Sequence, residues 1–320
     1  MNRIALLLFL LLFSTLATAS RVVFIHSYHF SYPWVQQYRT GFLNEIGKIQ
    51  LDEYELDTKR KPDVEFSAIS NSAWHFIEQK KPDLVVLADD NALRLLGRKI
   101  TENNIPLVFL GINSNPRDYL ELNAYTSGAI ERPLMNRSVS MLIKLLPELK
   151  HVNVMMDNRA TSHAILETSF NNKVEQSILG ITVSSSLISD YKTWKERVLN
   201  AKELHYDALI IANYAALSDE SGDNVPLDEV SEWTSNNSPV PVFSFWSYSI
   251  GKGKTIGGLT ISGEQQGEEA AKLVNDYFSS GALRPIVTPA RGRFIFSEYE
   301  LKRWGIVLPQ FMLDKALLLP

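Results

Sequence analysis

The chain alternates between two hydrophobic patterns: short apolar runs, and longer segments in which apolar residues recur every three or four positions. The first pattern is typical of strands buried on both faces of a sheet, and the second of amphipathic helices. The predicted strands of the first half are Arg21–His26, Asp83–Ala88, Pro106–Ile112 and Ser127–Ile130. The predicted helices of this half are Pro33–Ile49, Asn91–Glu102 and Pro133–Leu146.

The same alternation begins again after Pro147. The predicted strands here are Val152–Met156, Ile181–Ile188, Asp207–Ala212 and Pro241–Phe245. The predicted helices are Ser162–Ile178, Tyr191–Glu203 and Leu227–Asn236. Two successive series of β–α units predict an α/β protein with two doubly wound, parallel-sheet lobes, because crossovers between parallel strands are right-handed.

The segment that follows Phe245 predicts how the two lobes are connected. A polar aromatic turn leads into a strand, Ile256–Ile261, in which Gly257 and Gly258 allow another backbone to approach closely. Ser262 is a candidate cap for an amphipathic helix over 264–280. No further β–α unit follows this helix, so its simplest position is back on the first lobe.

These assignments give a boundary near Pro147–Lys150 between the two series of units, and lobes that exchange chain through a hinge. Residues 20–132 and 262–320 are assigned to the first lobe, and residues 133–261 to the second with the hinge crossings. The predicted hinge strands lie near Ile130–Pro133, Phe245–Ser249 and Gly257–Ile261.

The N-terminus has the pattern of a cleaved secretory signal peptide over residues 1–19. A short positive start precedes the apolar run Ile4–Leu16, and Ala17-Thr18-Ala19 forms a small-x-small cleavage site before Ser20. The apolar run is too short for a membrane span. The chain contains no cysteine, so it needs no disulfide and carries no cysteine for a lipid anchor. We therefore expect a soluble, monomeric protein in a bacterial periplasm.

The formal net charge of −4 is ordinary for a soluble protein and gives no clustered basic face for nucleic acid. No later segment approaches the roughly 18 apolar residues of a membrane helix. We expect neither a nucleic-acid partner nor a membrane-spanning segment in the mature chain.

The turns that follow the predicted strands are rich in polar and aromatic residues. Ligands of open α/β sheets bind at the carboxyl ends of the strands, and aromatic walls with a few fixed polar groups suit a small molecule. The candidate ligand-binding residues are Ser27, Tyr28, Trp34, Asp89, Asp90, Asn113, Asp157, Asn213, Tyr214, Trp246 and Tyr248. The alternative for any one of them is a purely structural role such as helix capping, for which Asn91, Thr161 and Asp190 are good candidates.

Motifs for catalysis or metal binding are weak. His26 and Ser27 precede a turn that contains Asp89 and Asp90, so a secreted hydrolase using Ser27 and His26 is an alternative, although the chain has no G-x-S-x-G elbow. Only two of the six histidines, His26 and His29, are close together, and there is no H-E-x-x-H. The sequence thus predicts no metal site and no cofactor.

Four segments together resemble the type I periplasmic solute-binding proteins. They are VVFIHSYHFSYPWVQQYRTGF, PDLVVLADDNAL, IPLVFLGINSN and VPVFSFWSYSIGKGKTIGGLTISGEQQGEEAAKLV. More narrowly, they are similar to the uncharacterised ABC-transporter substrate-binding family, whose relatives form periplasmic sensor domains of histidine kinases and diguanylate cyclases. The chain departs from the amino-acid-binding members at Tyr119–Thr126, which replaces a proline- and glycine-rich stretch.

The resemblance implies the type I periplasmic-binding-protein fold and a binding protein rather than an enzyme. Its ligand would be captured by closure of the lobes and presented to a membrane permease or to the periplasmic domain of a sensor protein. The predicted cleft turns carry more acids than bases, with Asp89, Asp90, Asp157 and Asp190 against Arg132 and Arg159. We therefore predict a small ligand with a cationic or hydrogen-bond-donating nitrogen and a flat or apolar part. A transcription-factor ligand core is disfavoured by the signal peptide.

Overall fold

The computed structural model describes residues 20–289 and 292–320, and it confirms the predicted α/β fold with two doubly wound lobes. The predicted signal peptide lies outside the described residues. The strands of the first lobe are β1 (Ser20–His26), β2 (Ile49–Glu55), β3 (Leu84–Ala88), β4 (Leu107–Ile112) and β5 (Thr126–Ile130). Its first three helices are α1 (Pro33–Glu45), α2 (Phe66–Lys80) and α3 (Asp89–Glu102). The sheet is parallel, in the order β2-β1-β3-β4-β5.

Alternation along the strands explains why helices cover both faces of this sheet. Val22 and Phe24 face a core shared with α1, whereas Val23 and Ile25 face a separate core shared with α2 and α3. Successive side chains of a strand point to opposite faces, so a run that is apolar throughout needs a helical layer on each side.

The second lobe repeats this architecture. Its strands are β6 (His151–Asp157), β7 (Glu175–Ile178), β8 (Ile181–Ile188), β9 (Ala208–Ile211) and β10 (Val242–Ser244). Its helices are α4 (Met135–Leu145), α5 (Ala160–Phe170), α6 (Tyr191–Leu199) and α7 (Leu227–Asn237). The strand order is β10-β9-β6-β8-β7, with every pairing parallel except that of β7 with β8.

The predicted helix Ser162–Ile178 is wrong in its second half. Helix α5 ends at Phe170, where Asn171 adopts a left-handed conformation (φ 52°) that closes the last turn. The chain then forms β7, which returns antiparallel to β8 through Leu179 and Gly180, both at positive φ. Positive φ at two central residues is the geometry of a tight hairpin.

The remaining elements connect the lobes. They are β11 (Gly257–Thr260), α8 (Gly263–Ser280), β12 (Arg293–Ser297), α9 (Glu298–Trp304), α10 (Gln310–Leu313) and β13 (Leu317–Leu319). The hydroxyl of Ser262 accepts a hydrogen bond from the amide of Gln265, so the predicted cap is confirmed. Helix α8 packs on α1, β4 and β5 of the first lobe.

Residues 293–320 differ from the expectation that all of 262–320 belongs to the first lobe. Strand β12 pairs antiparallel with β11, and the Arg303 guanidinium bonds to Ser235 and Asn236 in and near the end of α7. Gly257 permits this pairing, because a Cβ there would lie 2.4 Å from the Ile295 carbonyl oxygen of β12. The other lobe boundaries stay predictions.

Candidate functional site

The two lobes touch through side chains from the carboxyl ends of their strands. The hydrogen bonds across the cleft include Tyr28–Thr161 (2.9 Å between hydroxyls), Tyr32–Tyr248 (3.2 Å between hydroxyls) and Gln37 Nε2 to Ser247 Oγ (3.0 Å). The rings of Trp34 and Trp246 meet edge to face with their centroids 5.5 Å apart. The structure therefore has its lobes closed on each other.

A small cavity lies between the closed lobes, and we call it the inner cavity. Its lining residues are Tyr28, Tyr32, Trp34, Lys59, Asp89, Asn113, Glu131, Thr161, Asn213, Trp246 and Tyr248. In this closed arrangement the lining side chains leave room for little more than one water molecule. The lining comes from turns at the carboxyl edges of both sheets, so parallel strand order is what gathers these distant segments.

Asp89 sits at the inner end of this cavity in an unusual backbone conformation. It follows β3 directly, and its φ of 67° is in the left-handed region that few non-glycine residues adopt. One carboxyl oxygen accepts a hydrogen bond from the Trp34 indole (2.9 Å), while the other is buried without a partner. Burial raises the pKa of Asp89 well above its usual range, and the neighbouring charge of Asp90 raises it further.

Glu131 brings a second buried carboxyl group to the same end. It is 2% exposed, and burial, with the charges of Asp89 and Asp90, raises its pKa well above the ordinary value. Gly111 makes room for both acids, since a Cβ there would lie 3.0 Å from Asp89 Oδ1 and 3.7 Å from Glu131 Oε2. Gly111 also has a φ of 69°, which a side chain would strain.

The unpaired polar atoms of the cavity are divided between the lobes. The first lobe leaves two acceptors without partners, Asp89 Oδ2 and Asn113 Oδ1. The second leaves two donors, Asn213 Nδ2 and Trp246 Nε1. Buried polar atoms are nearly always hydrogen-bonded, so four unpaired atoms around one cavity indicate a place for a ligand or water.

Lys59 adds a positive charge that sequence reasoning missed. Its side chain is nearly fully buried, and its ammonium lies 4.6 Å from the centre of the Tyr28 ring and 4.0 Å from Asp157 Oδ2. The lysine follows β2, an element absent from the predicted strands, and its position opposite Asp157 depends on how the two lobes meet.

Seven of the predicted site residues line the inner cavity: Tyr28, Trp34, Asp89, Asn113, Asn213, Trp246 and Tyr248. The other four, Ser27, Asp90, Asp157 and Tyr214, lie behind it and hold the turns in place. Asp90 accepts bonds from the amides of Asn113 and Ser114, and Asp157 accepts from Ser162 Oγ and the Ala216 amide. Tyr214 shares a hydrogen bond with Ser249.

Four lining residues were not predicted as ligand contacts: Tyr32, Lys59, Glu131 and Thr161. Tyr32 and Thr161 lie in polar or aromatic turns that follow predicted strands, and Glu131 directly follows a predicted strand. Their position after a strand could therefore have identified them as candidate ligand contacts. Lys59 had no such signal.

Ser27 and His26, the residues of the hydrolase alternative, bond to other groups. Ser27 Oγ donates to the Ala88 carbonyl (2.6 Å) and accepts from the Ala92 amide (2.8 Å). His26 Nδ1 pairs with the Tyr38 hydroxyl, and burial lowers the pKa of this histidine. Both side chains anchor the turn that presents Tyr28. Within residues 20–289 and 292–320, no group of three or more His, Asp or Glu side chains is placed to hold a metal ion.

Neither a family model nor a curated protein matches the chain, but solved structures do. A conserved domain protein from Vibrio cholerae has a TM-score of 0.68 at 14% identity, over 95% of this chain and 100% of that one. The ABC domain from Streptococcus pneumonia, in complex with L-Trp, has a TM-score of 0.66 at 13% identity, over 93% and 100%. This chain has the type I periplasmic-binding-protein fold. A periplasmic ribose ABC transporter structure from Conexibacter woesei shares this fold, with a TM-score of 0.53 at 15% identity, over 85% and 91%.

The periplasmic-binding-protein fold agrees with the two-lobe architecture and with a cavity at the facing sheet edges. Two of these three neighbours are described as an ABC domain in complex with L-Trp and as a periplasmic ribose ABC transporter. In the described part of the chain, no helix is long and apolar enough to cross a membrane.

Proposed function

We propose that this chain is a periplasmic solute-binding protein that captures a small molecule in the inner cavity and presents it to a membrane protein. The observation that carries the proposal is the inner cavity itself, with aromatic rings from both lobes and four unpaired buried polar atoms. Burying such atoms without partners costs about 1–3 kcal/mol each. A ligand that pairs with these atoms stabilises the closed form by as much as it binds the closed form more tightly than the open one.

The division of unpaired atoms orients the ligand. A nitrogen donor faces Asp89 and Asn113 of the first lobe, and an acceptor faces Asn213 and Trp246 of the second. A cationic nitrogen suits Asp89 best, because a charge-assisted hydrogen bond restores the ionised carboxylate that burial disfavours. The Trp34 and Trp246 rings supply walls for a flat or apolar part.

The partner of the closed form is an ABC permease or the periplasmic domain of a membrane sensor. The L-Trp complex of the Streptococcus pneumonia domain and the ribose transporter description both favour a transport role for this fold. The predicted signal peptide over residues 1–19 favours export to the periplasm, where either partner would meet the protein.

A thermal-shift panel tests this proposal. It contains amino acids, polyamines, nucleosides, sugars and organic acids, each tested against the wild type and Asp89→Asn. We expect stabilising compounds to carry a donor nitrogen and to lose their effect in Asp89→Asn, because asparagine presents no anionic oxygen to them. Stabilisation only by sugars or dicarboxylates would contradict the predicted ligand class, and no stabilisation by any compound would contradict the binding role.

Asp190→Asn is the matched control for this panel. Asp190 caps α6 through the Thr193 amide and does not line the inner cavity. Asparagine caps helices as well as aspartate does, so this variant should fold and respond to ligands like the wild type.

A further inference from the structure

A second, larger cavity opens at the mouth of the cleft, and we call it the outer cavity. About 890 Å³ of space lies between its lining atoms and is continuous with the solvent. Its lining residues are Tyr28, Thr58, Lys59, Asp63, Phe66, Asn91, Arg94, Asn158, Arg159, Ala160, Thr161 and His163. Tyr28, Lys59 and Thr161 line both cavities, so the two spaces adjoin along these three residues.

The titratable side chains that line the outer cavity are mostly basic, whereas those of the inner cavity are mostly acidic. Three basic side chains line it, Lys59, Arg94 and Arg159, against the single carboxylate of Asp63. Helix α5 begins at its wall, and no side chain caps the first amides of that helix. The positive end of the helix dipole adds to the field of the three cations.

Among the described residues, the buried ammonium group of Lys59 has no carboxylate in close contact with it. The nearest carboxylate oxygen, Asp157 Oδ2, is 4.0 Å from its ammonium and already accepts the Ala216 amide. The second oxygen of Asp157 accepts from Ser162. A buried ammonium with so distant a counter-charge is expensive, and an anion beside it would lower that cost.

The two arginines belong to different lobes. Arg94 lies on α3, held near Asn91 by a 3.0 Å hydrogen bond, and Arg159 lies at the start of α5. Arg159 pairs with Asp63 at 3.1 Å, but Asp63 is largely exposed. Exposed ion pairs are worth only about 0–1 kcal/mol, so an anion in the cavity can replace Asp63 at little cost.

We propose that the outer cavity binds an anionic group of the same ligand whose nitrogen end occupies the inner cavity, an inference that rests on the proposed function. The anion is a carboxylate or a phosphate, held by Lys59 with Arg94 and Arg159. The ligand is thus dipolar along the cleft, with its cationic end toward Asp89 and its anionic end toward solvent. Because Arg94 and Arg159 belong to different lobes, an anion bound to both would help to hold the lobes together.

Matched probes test this charge arrangement by isothermal titration calorimetry. They are 3-aminopropanoate, 4-aminobutanoate and 6-aminohexanoate, each paired with its neutral primary amide, and 3-aminopropyl phosphate, paired with neutral-ended 3-aminopropan-1-ol. The members of each pair share the amine and the chain length and differ in the anionic group. We expect at least one anionic probe to bind about tenfold or more tightly than its neutral partner. Which of them does so identifies the anion.

The variants are Arg94→Gln with Arg159→Gln, and Arg60→Gln as control. Arg60 is an exposed neighbour paired with Asp57 and does not line the cavity. The double variant should bind each anionic probe about as tightly as its neutral partner, with the affinity for the neutral partner unchanged. Arg60→Gln should keep the wild-type difference between them.

Three results would overturn the inference. They are equal binding of every anionic probe and its neutral partner by the wild type, a preference that survives in the double variant, and no binding by any of these probes. In each case a stabilising nitrogen compound in the thermal-shift panel would still leave the proposed function standing, so the two failures are distinguishable.

Discussion

At the scale of single residues, Asp89 combines three features that are typical of a ligand-binding residue. It combines a positive φ, a fully buried carboxyl group and one unpaired oxygen. Strained backbone and buried unpaired groups persist where the surroundings hold them for a use such as ligand binding. The sequence predicted Asp89 as a site residue from its position after a strand, but Lys59 opposite Asp157 depends on the closed arrangement of two lobes and left no local signal.

The raised pKa of Asp89 predicts how stability depends on pH. An unfolded aspartate ionises near pH 4, whereas the folded carboxyl group keeps its proton to higher pH, so its contribution falls as pH rises above about 4. Asp89→Asn removes this loss and should make the ligand-free protein more stable at pH 8 than the wild type. Asparagine also tolerates positive φ.

Urea unfolding at pH 4 and pH 8, without ligand, measures this difference. Asp190→Asn should not share it, because the hydrogen bond that the Asp190 carboxylate accepts from the Thr193 amide lowers the pKa of Asp190 in the folded state. If the free energy of unfolding changes equally with pH in the wild type and in Asp89→Asn, the raised pKa assigned to buried Asp89 is wrong.

Trp246 tests the donor side of the cavity. Trp246→Phe keeps an aromatic wall but removes the unpaired indole N–H. We expect ligand affinity to fall by about 2- to 10-fold, corresponding to one neutral hydrogen bond. Calorimetry with the strongest compound of the panel gives the value, and the melting temperature without ligand should not fall by a comparable amount. Unchanged affinity would mean that the ligand does not use this N–H.

At the scale of elements, the well-predicted parts are those buried on both faces. Strands β3 and β4 are continuous apolar runs and were predicted to within a residue at each end. Strand β2 and helix α2 were missed, because β2 lies at the edge of the sheet, half-exposed, and α2 interleaves its buried Ile69, Ala73 and Ile77 with many polar residues. An edge position weakens the hydrophobic pattern from which strands are predicted.

The contact between α1 and α8 depends on one glycine in each helix, and each of these glycines faces the backbone of the opposite helix. A Cβ on Gly267 would lie 1.8 Å from the Tyr38 carbonyl oxygen, and one on Gly41 would lie 2.0 Å from that of Glu264. Gly267→Ala should therefore destabilise the protein by about 1–3 kcal/mol despite the better helix propensity of alanine.

Gly97→Ala is the matched control, because the atoms that its Cβ would meet belong to the flexible side chains of Leu93 and Leu120. Urea denaturation of the three proteins decides the matter. If Gly267→Ala is no less stable than Gly97→Ala, the close approach of these helices is wrong.

Glu53 on β2 predicts a second pH effect, of opposite sign. Burial would raise its pKa, but hydrogen bonds with His26 and Arg39 outweigh burial and lower it to about 2. Its stabilising contribution is therefore present above pH 4.5 and lost as pH falls toward 2. The free energy of unfolding of Glu53→Gln should therefore change less than that of the wild type between pH 5 and pH 2.5. A change as large as that of the wild type would contradict the assigned bonds of Glu53 with His26 and Arg39.

At the scale of the molecule, the sequence predicted two lobes and a hinge because β–α units recur in two series. It did not predict that β12 pairs with β11 and β13 with β12, since this segment has neither a β–α pattern nor a local partner in sequence. Nor does the pattern along the chain show that acidic side chains gather at the inner cavity and basic ones at the outer cavity, because each set comes from turns that are distant in sequence.

Ligand-dependent closure is the claim on which the whole interpretation depends. The absence of cysteine allows spin labels at two introduced positions, Val64→Cys in the first lobe and Val174→Cys in the second, both highly exposed. Double electron–electron resonance then measures the distance between the lobes with and without the strongest panel compound. We expect a broad distribution that includes longer distances without ligand, and a single narrow short distance with it. Identical distributions with and without saturating ligand would contradict capture by closure of the two lobes.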